Sequence, residues 1–155
     1  MSYIDLENVS RFYLVGKNHR KYVLRNVTIS FPYAGLISVL GKSGCGKSTL
    51  LNLIGKLDNP SEGAIYYEDE DISRFKEKRL QLFRKETVSY IFQHYHLLEN
   101  QTVLYNVMLP ALLNGDSFAI AKNKAMSLIK DYGIKDELLN KKCSKLSVGK
   151  KKESL

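Results

Sequence analysis

Cysteine is scarce: only Cys45 and Cys143 occur, far apart and without metal-type spacing, which suits a reducing cytoplasm rather than a metal cluster. Long apolar runs are missing as well. The stretch from Val103 to Leu113 is broken by Asn106 and Pro110 and is too short to span a bilayer. The opening Met1-Ser2-Tyr3-Ile4-Asp5-Leu6-Glu7 has no basic region followed by an apolar core, so no secretory signal is read there. No internal repeat or long low-complexity segment is visible. Acidic residues are the scarcer sign of charge, giving a net charge of +8 that suits acidic partners such as nucleic acid or an anionic membrane face. The basic residues thicken at Lys141, Lys142, Lys145, Lys150, Lys151 and Lys152, however. A solvated tail accounts for that at least as well as a binding surface does, and no direct nucleic-acid contact is expected. With 155 residues and 44% apolar content, the chain can build one sizeable core.

Ile4, Leu6 and Val9 predict an opening strand, and the alternation from Val23 to Phe31 predicts a second. Leu36-Ile37-Ser38-Val39-Leu40 has the composition of a strand buried on both faces. After a glycine-rich loop, Leu50, Leu51, Ile54 and Leu57 recur at helical spacing. Ala64 to Tyr67 and Thr87 to Phe92 read as further strands, with a charged helix between them capped by Ser73. The remainder is helical. Thr102 is placed to cap one helix and Asp116 another, in which Phe118, Ala121, Ala125, Leu128, Ile129 and Tyr132 form a core-packing stripe closed by Gly133. Strands alternating with helices, then helices alone, make an α/β protein with a helical appendage.

Gly41-Lys42-Ser43-Gly44-Cys45-Gly46-Lys47-Ser48-Thr49 contains the Walker A pattern of Gly, four residues, then Gly-Lys-Ser. A random chain of this length matches that pattern about once in 200. The glycines let the backbone turn tightly and bring its N–H groups against phosphate oxygens. Lys47 supplies a point charge to the β- and γ-phosphates of ATP, the Ser48 hydroxyl can ligate Mg2+, and Thr49 can bond the α-phosphate. The helix starting near Lys47 adds its positive dipole end. Cys45 is read as a small filler of the loop rather than a redox-sensitive thiol. His94 and His96 form a His-x-His pair, but no third or fourth ligand accompanies them.

Tyr90-Ile91-Phe92-Gln93-His94-Tyr95-His96, running into Thr102-Val103-Leu104-Tyr105-Asn106-Val107, resembles the Q-loop of ABC-transporter ATPases and the start of their helical subdomain. Asn8-Val9-Ser10-Arg11-Phe12-Tyr13 is similar to the family's first strand, and Pro60-Ser61-Glu62-Gly63 to its turn after the P-loop helix. The resemblance covers essentially the whole chain. The segments from Leu51 to Asp58 and from Asn106 to Pro110 are similar to the macrolide-export and lipoprotein-release subgroup. It implies an incomplete P-loop NTPase core: a β-rich and P-loop part over 1–93, a helical subdomain over 94–146, and an aberrant signature and tail over 147–155. It further implies that Tyr13, with Phe12 as neighbouring candidate, stacks on adenine, and that Gln93 contacts Mg2+ or the attacking water. Two such subunits would sandwich two ATP molecules, on the cytoplasmic face of the membrane, beside a membrane-spanning permease.

Leu146-Ser147-Val148-Gly149 falls where the family carries Leu-Ser-Gly-Gly, so Ser147 and Gly149 would face a γ-phosphate across the dimer while Val148 obstructs the approach. No later segment supplies four apolar residues followed by Asp-Glu, so these residues are expected to bind nucleotide without turning it over. The run 36–40 would lose its ladder partners and expose apolar residues, which predicts aggregation or a molten state. Shifted by one nucleotide, a coding run for Lys150 to Ser154 reads Lys, Arg and Val, which resembles the family's continuation and suggests a frameshift. The alternatives are a nonfunctional fragment, a non-catalytic nucleotide-binding interaction module, and a basic nucleic-acid-binding NTPase.

Overall fold

The computed structural model describes residues 2–16, 19–93 and 96–146, and the chain divides into two compact units, Met1–Tyr90 and Ile91–Leu155. In the first, strands β1 (Ser2–Val15) and β2 (His19–Pro32) form a long antiparallel hairpin, with Leu6 opposite Ile29 and Tyr13 opposite Lys21. Strand β3 (Glu62–Tyr67) pairs with the other edge of β1, placing Ile65 opposite Leu6, and the short β4 (Glu70–Asp71) completes the order β2-β1-β3-β4. Both expected N-terminal strands are present and longer than their apolar alternation indicates.

The hairpin carries register shifts near Asn8 and Asn26. These residues have φ of 50° and 48°, a left-handed backbone that asparagine tolerates better than most residues. The Asn8 N–H donates to Thr28 Oγ1 at 3.1 Å, and the Asn26 N–H to Ser10 Oγ at 3.0 Å, so the backbone freed from the ladder stays satisfied. Gly63 crosses this bulge with φ 85°, and any Cβ there would clash with the carbonyl oxygens of Glu7 and Asn8.

Helix α1 (Lys47–Ile54) sets Leu53 into a core of Leu6, Val9, Phe31, Ile65, Ile72 and Phe83. Of its expected stripe, Leu50 and Ile54 pack against that core, while Leu51 and Leu57 remain exposed. Helix α2 (Glu77–Glu86) buries Leu80 and Phe83. Ser73 does not cap it. Ser73 belongs to a short 3-10 turn, Ile72–Arg74, capped by Asp71, and its hydroxyl instead accepts from the Ile65 N–H at 3.0 Å. The tertiary demand of a strand N–H outweighs the local capping preference.

Two expected strands are not formed. Neither residues 36–40 nor 87–92 are strand among the described residues. Leu36 is 97% exposed and Leu40 89%. Composition favours an extended run, but a strand exists only where a neighbour supplies its hydrogen bonds.

The second unit holds α3 (Val103–Leu113), α4 (Phe118–Asp131) and the short α5 (Asp136–Leu139). Thr102 caps α3 as expected, its Oγ1 accepting from the Tyr105 N–H at 3.2 Å. Ser117, not Asp116, caps α4. Ser117 has the extended backbone of a cap and accepts from the Ile120 N–H, whereas Asp116 pairs with Lys124 at 2.7 Å. The α4 stripe buries Ala121, Ala125 and Ile129 and leaves Phe118, Leu128 and Tyr132 exposed. Ala121 and Ala125 pack with Met108 of α3, and Val103, Leu138, Cys143 and Leu146 form a second cluster.

Candidate phosphate-binding site

Residues 41–46 form an irregular turn that leads straight into α1, with Gly46 at the cap position. Gly46 has φ 100°, and a Cβ there would meet Leu24 Cδ2 at 2.9 Å and the Val23 carbonyl at 3.0 Å. The close seat of the loop on β2 therefore requires glycine both for its conformation and for its space. Lys42, Ser43, Gly44 and Cys45 face outward, and Ser48 is exposed on the first turn of the helix.

Lys47 folds back along the loop and donates from Nζ to the carbonyl oxygens of Gly41 and Lys42, each at 2.9 Å. None of the ion pairs among the described residues involves Lys47, so its charge is not neutralised by a carboxylate. Helix geometry leaves the N–H groups of the first turn, at Lys47, Ser48 and Thr49, without an intrahelical acceptor. Backbone donors without an intrahelical acceptor, the positive end of a helix and an ammonium without a carboxylate partner all belong to this loop and the first turn of α1, a donor set that fits a polyphosphate. Cys45 is exposed, with its Sγ 4.0 Å from Lys47 Nζ.

Tyr13 lies near the end of β1, about half exposed. Leu24, against which Gly46 packs, stands opposite Arg11, and Lys21 stands opposite Tyr13. Tyr13 is thus two residues, ~7 Å, along β1 from the strand pair that backs the loop. Phe12 is already covered: its ring packs against Tyr22 at 5.2 Å, and the Arg20 guanidinium lies 4.5 Å from its centroid. Of the two aromatic candidates, Tyr13 is the more exposed.

Arg11, a neighbour of this site that composition and motif do not mark, pairs with Asp58 at 2.9 Å and reaches Ser61 Oγ at 3.5 Å. Its guanidinium carbon stands 4.9 Å from the Tyr13 centroid. The spacing of two along a strand, which puts Arg11 and Tyr13 on one face, is the only sequence signal that could have found it.

Gln93 is exposed, at a bend within the second unit. The structure thus gathers the loop 41–49 and Tyr13 in one unit and assigns Gln93 to the other. His94, Ser147, Val148 and Gly149 lie outside the described residues. His96 packs edge-on against Phe92 at 4.7 Å, and no three His, Cys, Asp or Glu side chains come together among the described residues. A groove of about 620 Å3 at the end of α4, lined by Met126, Ile129, Lys130, Gly133, Ile134 and Lys135, contains none of the expected site residues. No helix among the described residues is long and apolar enough to cross a membrane.

The loop, its helix and the flanking strands define an α/β protein of the P-loop NTPase class. The ABC transporter family matches residues 24–154. The chain belongs to that family and corresponds to the N-terminal part of its ATP-binding subunits. It is 38% identical over 112 residues to the lipoprotein-releasing system ATP-binding protein LolD of Blochmanniella floridana, covering 72% of this chain and 48% of that protein. Over 135 residues it is 36% identical to the macrolide export ATP-binding/permease protein MacB of Photorhabdus laumondii, covering 87% of this chain and 21% of MacB. It is also similar to the ATP-binding cassette MJ0796, solved as a dimer in a post-hydrolysis state bound to ADP and Pi, with a TM-score of 0.85 and 30% identity. That match covers 97% of this chain and 66% of the cassette. The chain therefore spans about half of the LolD relative and about two thirds of the cassette.

Proposed function

We propose that the loop 41–49 binds the phosphates of ATP with Mg2+, as part of a subunit that couples ATP to transport through a membrane-spanning permease. The observation that carries this reading is the unpaired Lys47 ammonium beside the free N–H groups that open α1. Lys47 can share its donors between the loop carbonyls and an incoming phosphate, so the loop holds its shape before and after binding. The Ser48 hydroxyl is placed for Mg2+, and Tyr13 offers a face to the base. Gln93 takes the family role of contacting the metal or the attacking water, with Ser147 and Gly149 reaching a γ-phosphate of the second copy. The domain reading of a P-loop part to residue 93 and a helical part over 94–146 accompanies this assignment.

The LolD and MacB likenesses support a permease of the lipoprotein-release or macrolide-export type, a dimer of ATP-binding subunits and a location at the cytoplasmic face of the membrane. Residues 1–155 contain no apolar run followed by Asp-Glu. As an isolated polypeptide they therefore bind ATP without steady turnover. The test is calorimetric titration of residues 1–155 with Mg2+ and ATP, alongside Lys47→Ala and a phosphate-release assay. Binding that weakens at least tenfold in Lys47→Ala, with no release above background, is the expected result. Equal binding by both chains would refute the phosphate site, and release abolished by Lys47→Ala would refute the absence of turnover.

A further inference from the structure

We infer that Arg11 is a positioning residue for the base of the bound nucleotide, holding the Tyr13 ring from behind so that one open face is presented. The inference rests on the nucleotide reading above and adds to it a residue outside the phosphate loop. Arg11 and Tyr13 share one face of β1, and the guanidinium carbon is 4.9 Å from the ring centroid, within range of a cation–π contact. Arg11 is itself fixed. Asp58 accepts from its Nη2 at 2.9 Å, and Ser61 Oγ accepts from its Nη1 at 3.5 Å. Its side chain is only 22% exposed.

Both anchors sit in the turn that follows α1. The Asp58 N–H donates to the Asn52 carbonyl at the helix's end, and Ser61 Oγ accepts from the Phe12 N–H at 3.2 Å. Arg11 therefore ties the aromatic end of β1 to the end of the helix whose start forms the phosphate site. One Tyr13 face is taken by the guanidinium, yet the residue stays 48% exposed, and the base takes the other face. A ring held in one rotamer loses less freedom on stacking than a free one. Releasing it should weaken the binding of a base-bearing nucleotide about three- to tenfold. A ligand with phosphates and no base should not register the change.

The experiment compares ATP with inorganic tripolyphosphate, each with Mg2+, by calorimetry on the full chain and on Arg11→Met, Arg11→Lys, Asp58→Asn and Tyr13→Ala. Thermal melts run alongside. Arg11→Met and Tyr13→Ala should lose ATP affinity three- to tenfold with tripolyphosphate unchanged. Arg11→Lys, which keeps a cation over the ring, should recover most of it. Asp58→Asn should lose an intermediate amount, and it reaches the same ring without altering Arg11, should Arg11→Met fail to fold. Equal losses for both ligands would overturn the inference by making Arg11 merely structural. No loss in Arg11→Met, or no selective loss in Tyr13→Ala, would also overturn it while leaving the phosphate site standing. A parent chain that binds neither ligand would remove the nucleotide reading itself, and the inference with it.

Discussion

Tyr67 packs its ring edge-on against those of Tyr3 and Phe83, with centroids 5.6 and 4.8 Å apart, and its hydroxyl donates to the Ile54 carbonyl at 3.0 Å. Burial first, and then the neighbouring Tyr3 and Tyr90, raise its pKa above the ordinary 10.0. An acid whose pKa is raised by folding contributes stability that is complete below its unfolded value and is lost as pH rises beyond it. Urea unfolding should therefore show a loss of stability that begins near pH 10.0 and grows above it. Tyr67→Phe should cost about 1 kcal/mol at neutral pH and flatten the alkaline loss. An unchanged alkaline slope in that variant would assign the titration elsewhere. Tyr90, raised by its own burial, adds in the same direction. Lys56 runs the other way: burial is the main cause lowering its pKa, Asp71 opposes that, and Arg84 adds to it, so the cost of its charge fades as pH rises toward 10.5. None of this was legible in the sequence, where a lysine beside Gly55 reads as solvated surface.

The glycine-rich turn at 41–46 and its passage into α1 were legible because the residues are contiguous and each type answers a local need. Helix caps were legible only to within a residue. Thr102 was placed correctly, while Ser117 displaced Asp116, since Asn, Gly, Asp and Ser in succession offer several places to begin a helix and the chain's exit from α3 selects one. Thr102→Ala should destabilise by about 1 kcal/mol, and Asp116→Ala by less than about 0.5 kcal/mol, as an exposed ion pair would. Parallel urea melts decide this, and a larger cost at Asp116 would return the capping role to it. The runs 36–40 and 87–92 illustrate the limit at this scale. Apolar composition specified extension, but pairing depends on a neighbour the run itself does not encode.

Across the molecule, the division at Tyr90–Ile91 coincides with a segment that no strand holds. Phe92 is 43% exposed there and Ile91 97%. Chymotrypsin at a low ratio should therefore cut first in the strandless, exposed segments, at Leu36, Leu40 or Phe92, as read by mass spectrometry. A first cut inside α3 or α4 would contradict the two-unit description. By itself, the sequence determined the glycine-rich turn into α1, the hairpin, the helical second half and the family, because these rest on short-range spacing and on motifs in order. Only the tertiary structure decided that Tyr13 stays more exposed than Phe12, and that Arg11 stands over its ring, held by partners such as Ser61, 50 residues away. Contacts of that range follow from how β1, β2 and the end of α1 pack together, and no local pattern in the chain carries that information.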